Sequence, residues 1–239
     1  MLLGQTVAQP CSRAHTVGND ARKAVADGWP VENVIASDLR PGEESVLFAR
    51  VPSYRYLDFW KYGHLLFRST PDTFPAAFIP GDAFDPNFIA PPYDPFASIE
   101  EVPDFSRPLP SLRDLTSLKQ LRGRIDAIHA SSFFHLFPEE KQRELALITA
   151  SLLSPEPGSV IFGQHVSKPE KGFRDEAGET YKMFCHSPES WKDLWESVFK
   201  EKGDIIVDAT LQEVRRVDLL PKNDQNSKFW AMNWSITRK

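Results

Sequence analysis

Apolar and polar positions alternate between two periods along this chain. DARKAVADG, from Asp20, puts Ala21, Ala24 and Val25 on one helical face, with Gly18–Asn19 ahead and Gly28 behind, and predicts a short helix. NVIAS (33–37) is a compact apolar run ending at Asp38, as a buried parallel strand would be. Leu57, Trp60, His64 and Phe67 return to helical spacing, and AAFI (76–79) reads as the next strand, running into GDAFD. Prolines crowd residues 86–110; they remove ladder and helix hydrogen bonds, so this segment is expected to be an irregular loop or lid.

Helical periodicity resumes at 111–123 through Leu112, Leu115, Leu118 and Leu121, followed by a strand at IDAIHA (125–130). Pro138 to Leu153 carries Leu145, Ile148 and Leu152 on one helical face, and PGSVIFG (157–163) is a second buried strand. In SPESWKDLWESVFKEKG, Ser187 is the cap and Pro188 the first helical residue. Trp191, Leu194, Trp195, Val198 and Phe199 form the buried stripe, and Gly203 ends the segment. After it the period becomes two. Ile205, Val207, Ala209 and Leu211 alternate, then Trp230, Met232, Trp234 and Ile236, with KNDQNS between, predicting an antiparallel hairpin. The fold class these elements predict is α/β: a mostly parallel sheet closed by that hairpin.

Composition narrows the function. With 239 residues and 41% hydrophobic content, the chain can bury one substantial core, a single α/β domain. A net charge of −5 without a dense Lys/Arg block disfavours nucleic acid as a partner. Cys11 and Cys185 are far apart and without metal spacing, so neither a disulfide framework nor a zinc site is expected. No apolar run approaches the ~20 residues that span a bilayer. MLLGQTVAQPCSRAH lacks the basic start and apolar centre of a signal peptide, so a cytoplasmic protein without a membrane partner is expected. Nothing in the pattern speaks to oligomeric state.

The candidate chemistry begins at Gly18. A glycine opening a helix, with an acid twenty residues on at the end of a strand, is the spacing of a nucleotide-binding unit. Gly18 allows close backbone approach, and Asp38 can accept two hydrogen bonds from a ribose. A bare helix cap and a strand end would give the same residues. Asp82, in GDAFD, is a second acid at a strand's carboxyl end, suited to an adenine amino group; an Asx turn is the alternative use of it. IHASSFFHLF brings His129, Ser131, Ser132 and His135 towards the same edge. Ser131 is counted with the cofactor contacts and His135 as a candidate general base, its alternative being a packed core residue. Neither serine has the GxSxG elbow of a hydrolase.

An adenosine-containing cofactor leaves a nicotinamide dinucleotide and S-adenosylmethionine as candidates. The terminal hairpin favours the second, because dinucleotide folds repeat parallel units to the end. GNDARKAVADGWP, VIASDL, FWKYGHLLF, GDAFD, GRIDAIHASSFFHLFPEEKQ, LLSPEPGSVIFG and MFCHSPESWKDLW resemble the fungal class I methyltransferases of terpenoid and meroterpenoid biosynthesis. The resemblance covers most of residues 17–237. It implies a Rossmann-like sheet, S-adenosylmethionine as methyl donor and a small-molecule acceptor, often methylated on a carboxyl or hydroxyl oxygen; in-line transfer between two oriented reactants requires no metal. By position it sets Asp38 and Leu39 at the ribose and Asp82 and Ala83 at the adenine.

The chain departs from that family's pattern at its start. Such proteins enter the first helix through an apolar strand ending acid-x-Gly-x-x-x-Gly. Here Gly18 is the second glycine, while Ala14 and Ser12 stand at the first glycine and the acid. Residues 1–16 are therefore an atypical segment before a methyltransferase-like domain at 17–239, and 41–58 reads as an insertion. Both are expected to reflect an altered gene model or splice form, which finding them in the transcript would reject. The expectation is a sheet whose first strand is missing or degenerate, with LLGQTVA (2–8) as its poor substitute, and weakened cofactor binding. The competing readings are a non-catalytic protein that keeps the scaffold and, third, a nicotinamide oxidoreductase.

Overall fold

The computed structural model describes residues 2–3, 18–38, 59–91, 111–174, 183–199, 204–214 and 228–239. Its strands are β1 (Leu2–Leu3), β2 (Ile35–Ser37), β3 (Ala77–Phe78), β4 (Ala127–His129), β5 (Val160–Ser167), β6 (Gly172–Arg174), β7 (Met183–Cys185), β8 (Ile205–Val214) and β9 (Phe229–Arg238). The α-helices are α1 (Asn19–Ala26), α2 (Phe59–Leu66), α3 (Glu139–Leu152) and α4 (Pro188–Val198). Among the described residues one sheet runs in the order β3-β2-β1-β4-β5-β9-β8. Neighbours from β3 through β5 pair parallel; β9 pairs antiparallel with both β5 and β8. The carboxyl ends of β2, β3, β4 and β5 therefore lie on one edge, where ligands of open α/β sheets bind.

The centre of the sheet holds the degenerate first strand that the sequence suggests. From the stretch 2–8 expected as its substitute, Leu2 and Leu3 pair with Ala36 and Ser37 of β2, and Leu2 also with His129 of β4; residues 4–8 lie outside the described residues. β2 and β4 would otherwise present unpaired backbone donors and acceptors to each other, and two residues of extended chain meet that demand in place of a full strand.

The main core gathers where α4 meets β5 and β9. Ser187 caps α4 through a reciprocal pair of bonds with Ser190, Pro188 follows at the first turn, and Trp191, Leu194, Trp195, Val198 and Phe199 are all buried. Phe134 meets Trp191, Trp195 and Trp234 edge-on at ring-centroid distances of 5.0, 6.0 and 5.7 Å. A smaller core under α1 joins Ala21, Val34, Phe74 and Ala76, with the Arg22 guanidinium 4.2 Å from the centre of the Phe74 ring.

Residues 111–123 are not one α-helix. Two 3-10 turns, Leu112–Asp114 and Lys119–Leu121, stand on either side of extended backbone at Leu115. The Leu118 N–H donates to the Phe88 carbonyl at 3.0 Å and so is lost to a helical ladder, although Leu115, Leu118 and Leu121 are still buried. The short β6–β7 hairpin was not legible, since three residues a side display no period. Of the Pro-rich segment, residues 86–91 are turns and bends, as the prolines predict; 92–110, like 41–58, lies outside the described residues.

Candidate functional site

β2 and β3 end together. Ser37 Oγ donates to the Ile79 carbonyl at 2.8 Å, and the Gly81 N–H donates to the Asp38 carbonyl at 2.9 Å. Asp38 and the turn that carries Asp82 are thereby held at adjoining strand tips. Asp38 is buried, whereas Asp82 is exposed; its Oδ1 accepts from the Phe84 N–H at 2.9 Å, so it closes an Asx turn. The backbone can pass here only because residue 81 is glycine: a Cβ would stand 2.3 Å from the Phe88 ring. Ala83 turns inward and belongs to the main core, so its side chain is not on the edge. Leu39 lies outside the described residues.

Gly18 caps α1 with φ +78°, in the left-handed region. A Cβ on it would come within 2.9 Å of the Trp60 ring, so the glycine is required by conformation and by this contact.

At the tip of β4 three side chains meet. His129 Nε2 and Ser131 Oγ are 2.7 Å apart, Ser131 Oγ accepts from the Gln164 N–H at 2.9 Å, and His129 Nδ1 is 3.6 Å from a carboxylate oxygen of Asp20 in the first turn of α1. Burial lowers the His129 pKa and the Asp20 carboxylate raises it in part, so the ring is neutral at physiological pH. Asp20 and the Gln164 amide were not singled out from the sequence. They come from α1 and β5, and no spacing links them to His129.

His135 is not at this edge. It is buried in the 3-10 turn Phe134–Leu136, its Nδ1 has no partner, and burial pushes its pKa down to about 4. Hydrophobic neighbours before and after it turn it into the core with them, which removes it as a base in contact with a ligand. His165 lies 6.2 Å away, ring centre to ring centre, and accepts from Trp234 Nε1 at 3.0 Å. His186 bonds to Ser190 at 2.9 Å and is likewise lowered to about 4, by burial first. Among the described residues no group of three or more His, Cys, Asp or Glu side chains is arranged to hold a metal ion. No described helix is long and apolar enough to cross a membrane.

No family model matches the chain. Curated relatives do. The chain is 30% identical over 187 residues to the O-methyltransferase phiE of a fungal species (strain ATCC 74256), covering 78% of this chain and 48% of that protein. It is 26% identical over 224 residues to the methyltransferase adrK of Penicillium rubens, covering 93% and 63%. It is 28% identical over 186 residues to the asnovolin E/chermesin D methyltransferase nvfJ of Aspergillus novofumigatus, covering 78% and 51%. The chain thus spans about half to under two thirds of these relatives' lengths. Among solved structures, the 1,6-didemethyltoxoflavin N1-methyltransferase of Burkholderia thailandensis, with S-adenosylhomocysteine bound, overlays over the whole of this chain and 71% of its own. The TM-score is 0.49 at 10% identity, a likeness too slight to carry a functional argument.

Proposed function

We propose that this chain, a relative of the fungal S-adenosylmethionine-dependent methyltransferases of secondary metabolism, transfers a methyl group from S-adenosylmethionine to an oxygen of a small-molecule acceptor. The observation that carries the reading beyond kinship is the pairing of β2 and β3 tips, which sets Asp38 and the Asp82 turn side by side. The donor set fits the cofactor: a carboxylate for ribose hydroxyls, a second acid for the adenine amino group, and a glycine-capped helix start at α1.

On this reading Gly18 shapes the loop against the cofactor, Asp38 and Leu39 hold the ribose, the Asp82–Ala83 turn meets the adenine, and Ser131 borders the methionine end. When bound, the cofactor supplies an electrophilic methyl group. The protein's contribution is to orient two reactants and exclude water, with no metal required. The acceptor is a small molecule rather than a nucleic acid, consistent with the net charge of −5.

Isothermal titration with S-adenosylmethionine tests the reading. Saturable binding is expected. Absence of heat at high concentration turns the conclusion to a non-catalytic protein on the same scaffold, and binding of a nicotinamide dinucleotide instead would turn it to an oxidoreductase.

A further inference from the structure

We propose that Asp20, His129 and Ser131 form a proton relay at the tip of β4, through which Ser131 takes the proton of a hydroxyl acceptor. The inference rests on the methyl-transfer reading and adds to it the chemical class of the acceptor.

The order of the relay follows from donor inventory. A neutral imidazole has one N–H and one acceptor nitrogen, and a carboxylate only accepts. The Asp20 carboxylate, 3.6 Å from Nδ1 and so beyond hydrogen-bond length, favours the N–H on that side by its charge, which leaves Nε2 as an acceptor. Ser131 Oγ, 2.7 Å from Nε2, must then donate to it. The Gln164 N–H occupies one lone pair of Ser131 Oγ at 2.9 Å, and the second lone pair is available to a proton donor such as an acceptor hydroxyl.

The backbone is built around this hydroxyl. Ser132, the next residue, holds φ +53°, a conformation that costs a non-glycine residue about 1 kcal/mol. Its N–H donates to the Gln164 carbonyl at 2.7 Å. The approach of β4's tip to β5 also needs Gly163, since a Cβ there would lie 2.8 Å from the Ala130 carbonyl oxygen. Strain, a glycine and a backbone bond all act to hold Ser131 against Gln164 and His129. The His129 ring lies beside Phe162, 5.1 Å between ring centres, and Ser131 Oγ sits on its Nε2.

The proton step balances within the chain. The acceptor's O–H bond breaks and its proton passes to Ser131 Oγ, while Ser131's own proton passes to His129 Nε2. The electron pair stays on the acceptor oxygen, and the imidazolium so formed faces the Asp20 carboxylate. Ser131 is the catalytic residue; His129 and Asp20 act through it. A carboxylic acid is already ionised at neutral pH and has no use for such a device, whereas a hydroxyl does.

Measurements on the protein without cofactor test the relay first. Nitrogen-15 NMR of the imidazoles should show His129 as the Nδ1–H tautomer, shifting towards Nε2–H in Asp20→Asn; an Nε2–H tautomer in the unmutated protein overturns the proposal. A fluorophosphonate probe, read by mass spectrometry, should label Ser131, with labelling at least about tenfold slower in His129→Gln. No labelling, or labelling unchanged by His129→Gln in a variant that keeps its unfolding transition, overturns it too. 2-Naphthol should protect Ser131 better than 2-naphthoate; equal or greater protection by the naphthoate overturns the hydroxyl assignment. Titration with S-adenosylmethionine separates the two readings. Binding without Ser131 labelling sinks the relay alone, and labelling without binding sinks the methyl-transfer reading on which its use depends.

Discussion

The Gly81 N–H donates to the Asp38 carbonyl at 2.9 Å, tying the end of β2 to the turn that presents Asp82. One backbone bond thus sets the spacing of the two acids on which cofactor recognition is proposed to rest. Removing Asp38's carboxylate should cost more than altering Asp82. In calorimetry, Asp38→Ala is expected to weaken S-adenosylmethionine binding at least about tenfold, or ~1.4 kcal/mol.

Asp82 closes an Asx turn and is proposed to meet the adenine, and one substitution can separate the two. Asn closes an Asx turn as Asp does but carries no charge. Asp82→Asn is expected to leave the urea unfolding midpoint unchanged while weakening cofactor binding several-fold. Asp82→Ala should lower both.

Gly18→Ala should destabilise the fold by about 1–2 kcal/mol, because alanine is strained at φ +78° and its Cβ meets Trp60 at 2.9 Å. Equilibrium denaturation measures the loss. In a Trp60→Leu background the contact is relieved and the strain is kept, so a smaller cost should remain.

Ser187→Ala should cost about 1 kcal/mol by the same measurement, because it removes the acceptor for the Ser190 N–H at the start of α4. Ser187→Asp should restore most of it.

His135 and His186 make stability depend on pH. Their folded pKa values, about 4, lie below the 6.5 of a free imidazole, so between these limits the unfolded chain holds protons the folded chain does not. Their full contribution is present above pH 6.5 and is lost as pH falls towards 4, at roughly 3 kcal/mol each. Urea midpoints measured across this range should fall less steeply in His135→Leu than in the unmutated protein.

Local pattern carried much of this molecule. The stripe from Trp191 to Phe199, the Ser187 cap and the two alternating strands at the end each report their own burial within a dozen residues. α4 and the β8–β9 hairpin follow from them without reference to the rest of the chain. That Gly18 starts a helix and that Asp38 and Asp82 follow strands was legible, because strand ends and helix starts leave signals in sequence.

What tertiary structure alone decided are the relations between distant segments. Leucines at helical spacing in 111–123 became two separate turns because Phe88 captured the Leu118 N–H. The start of LLGQTVA reads as a substitute strand, but that it is Leu2 and Leu3 that seat between β2 and β4, and in which register, was fixed by those two neighbours. His135 went into the core while His129 met Asp20 and Ser131 at the edge. The chain's own residues set which segments prefer helix or strand. Which backbone donor finds which acceptor, and which histidine stays near water, is settled only when segments far apart in sequence compete for the same space.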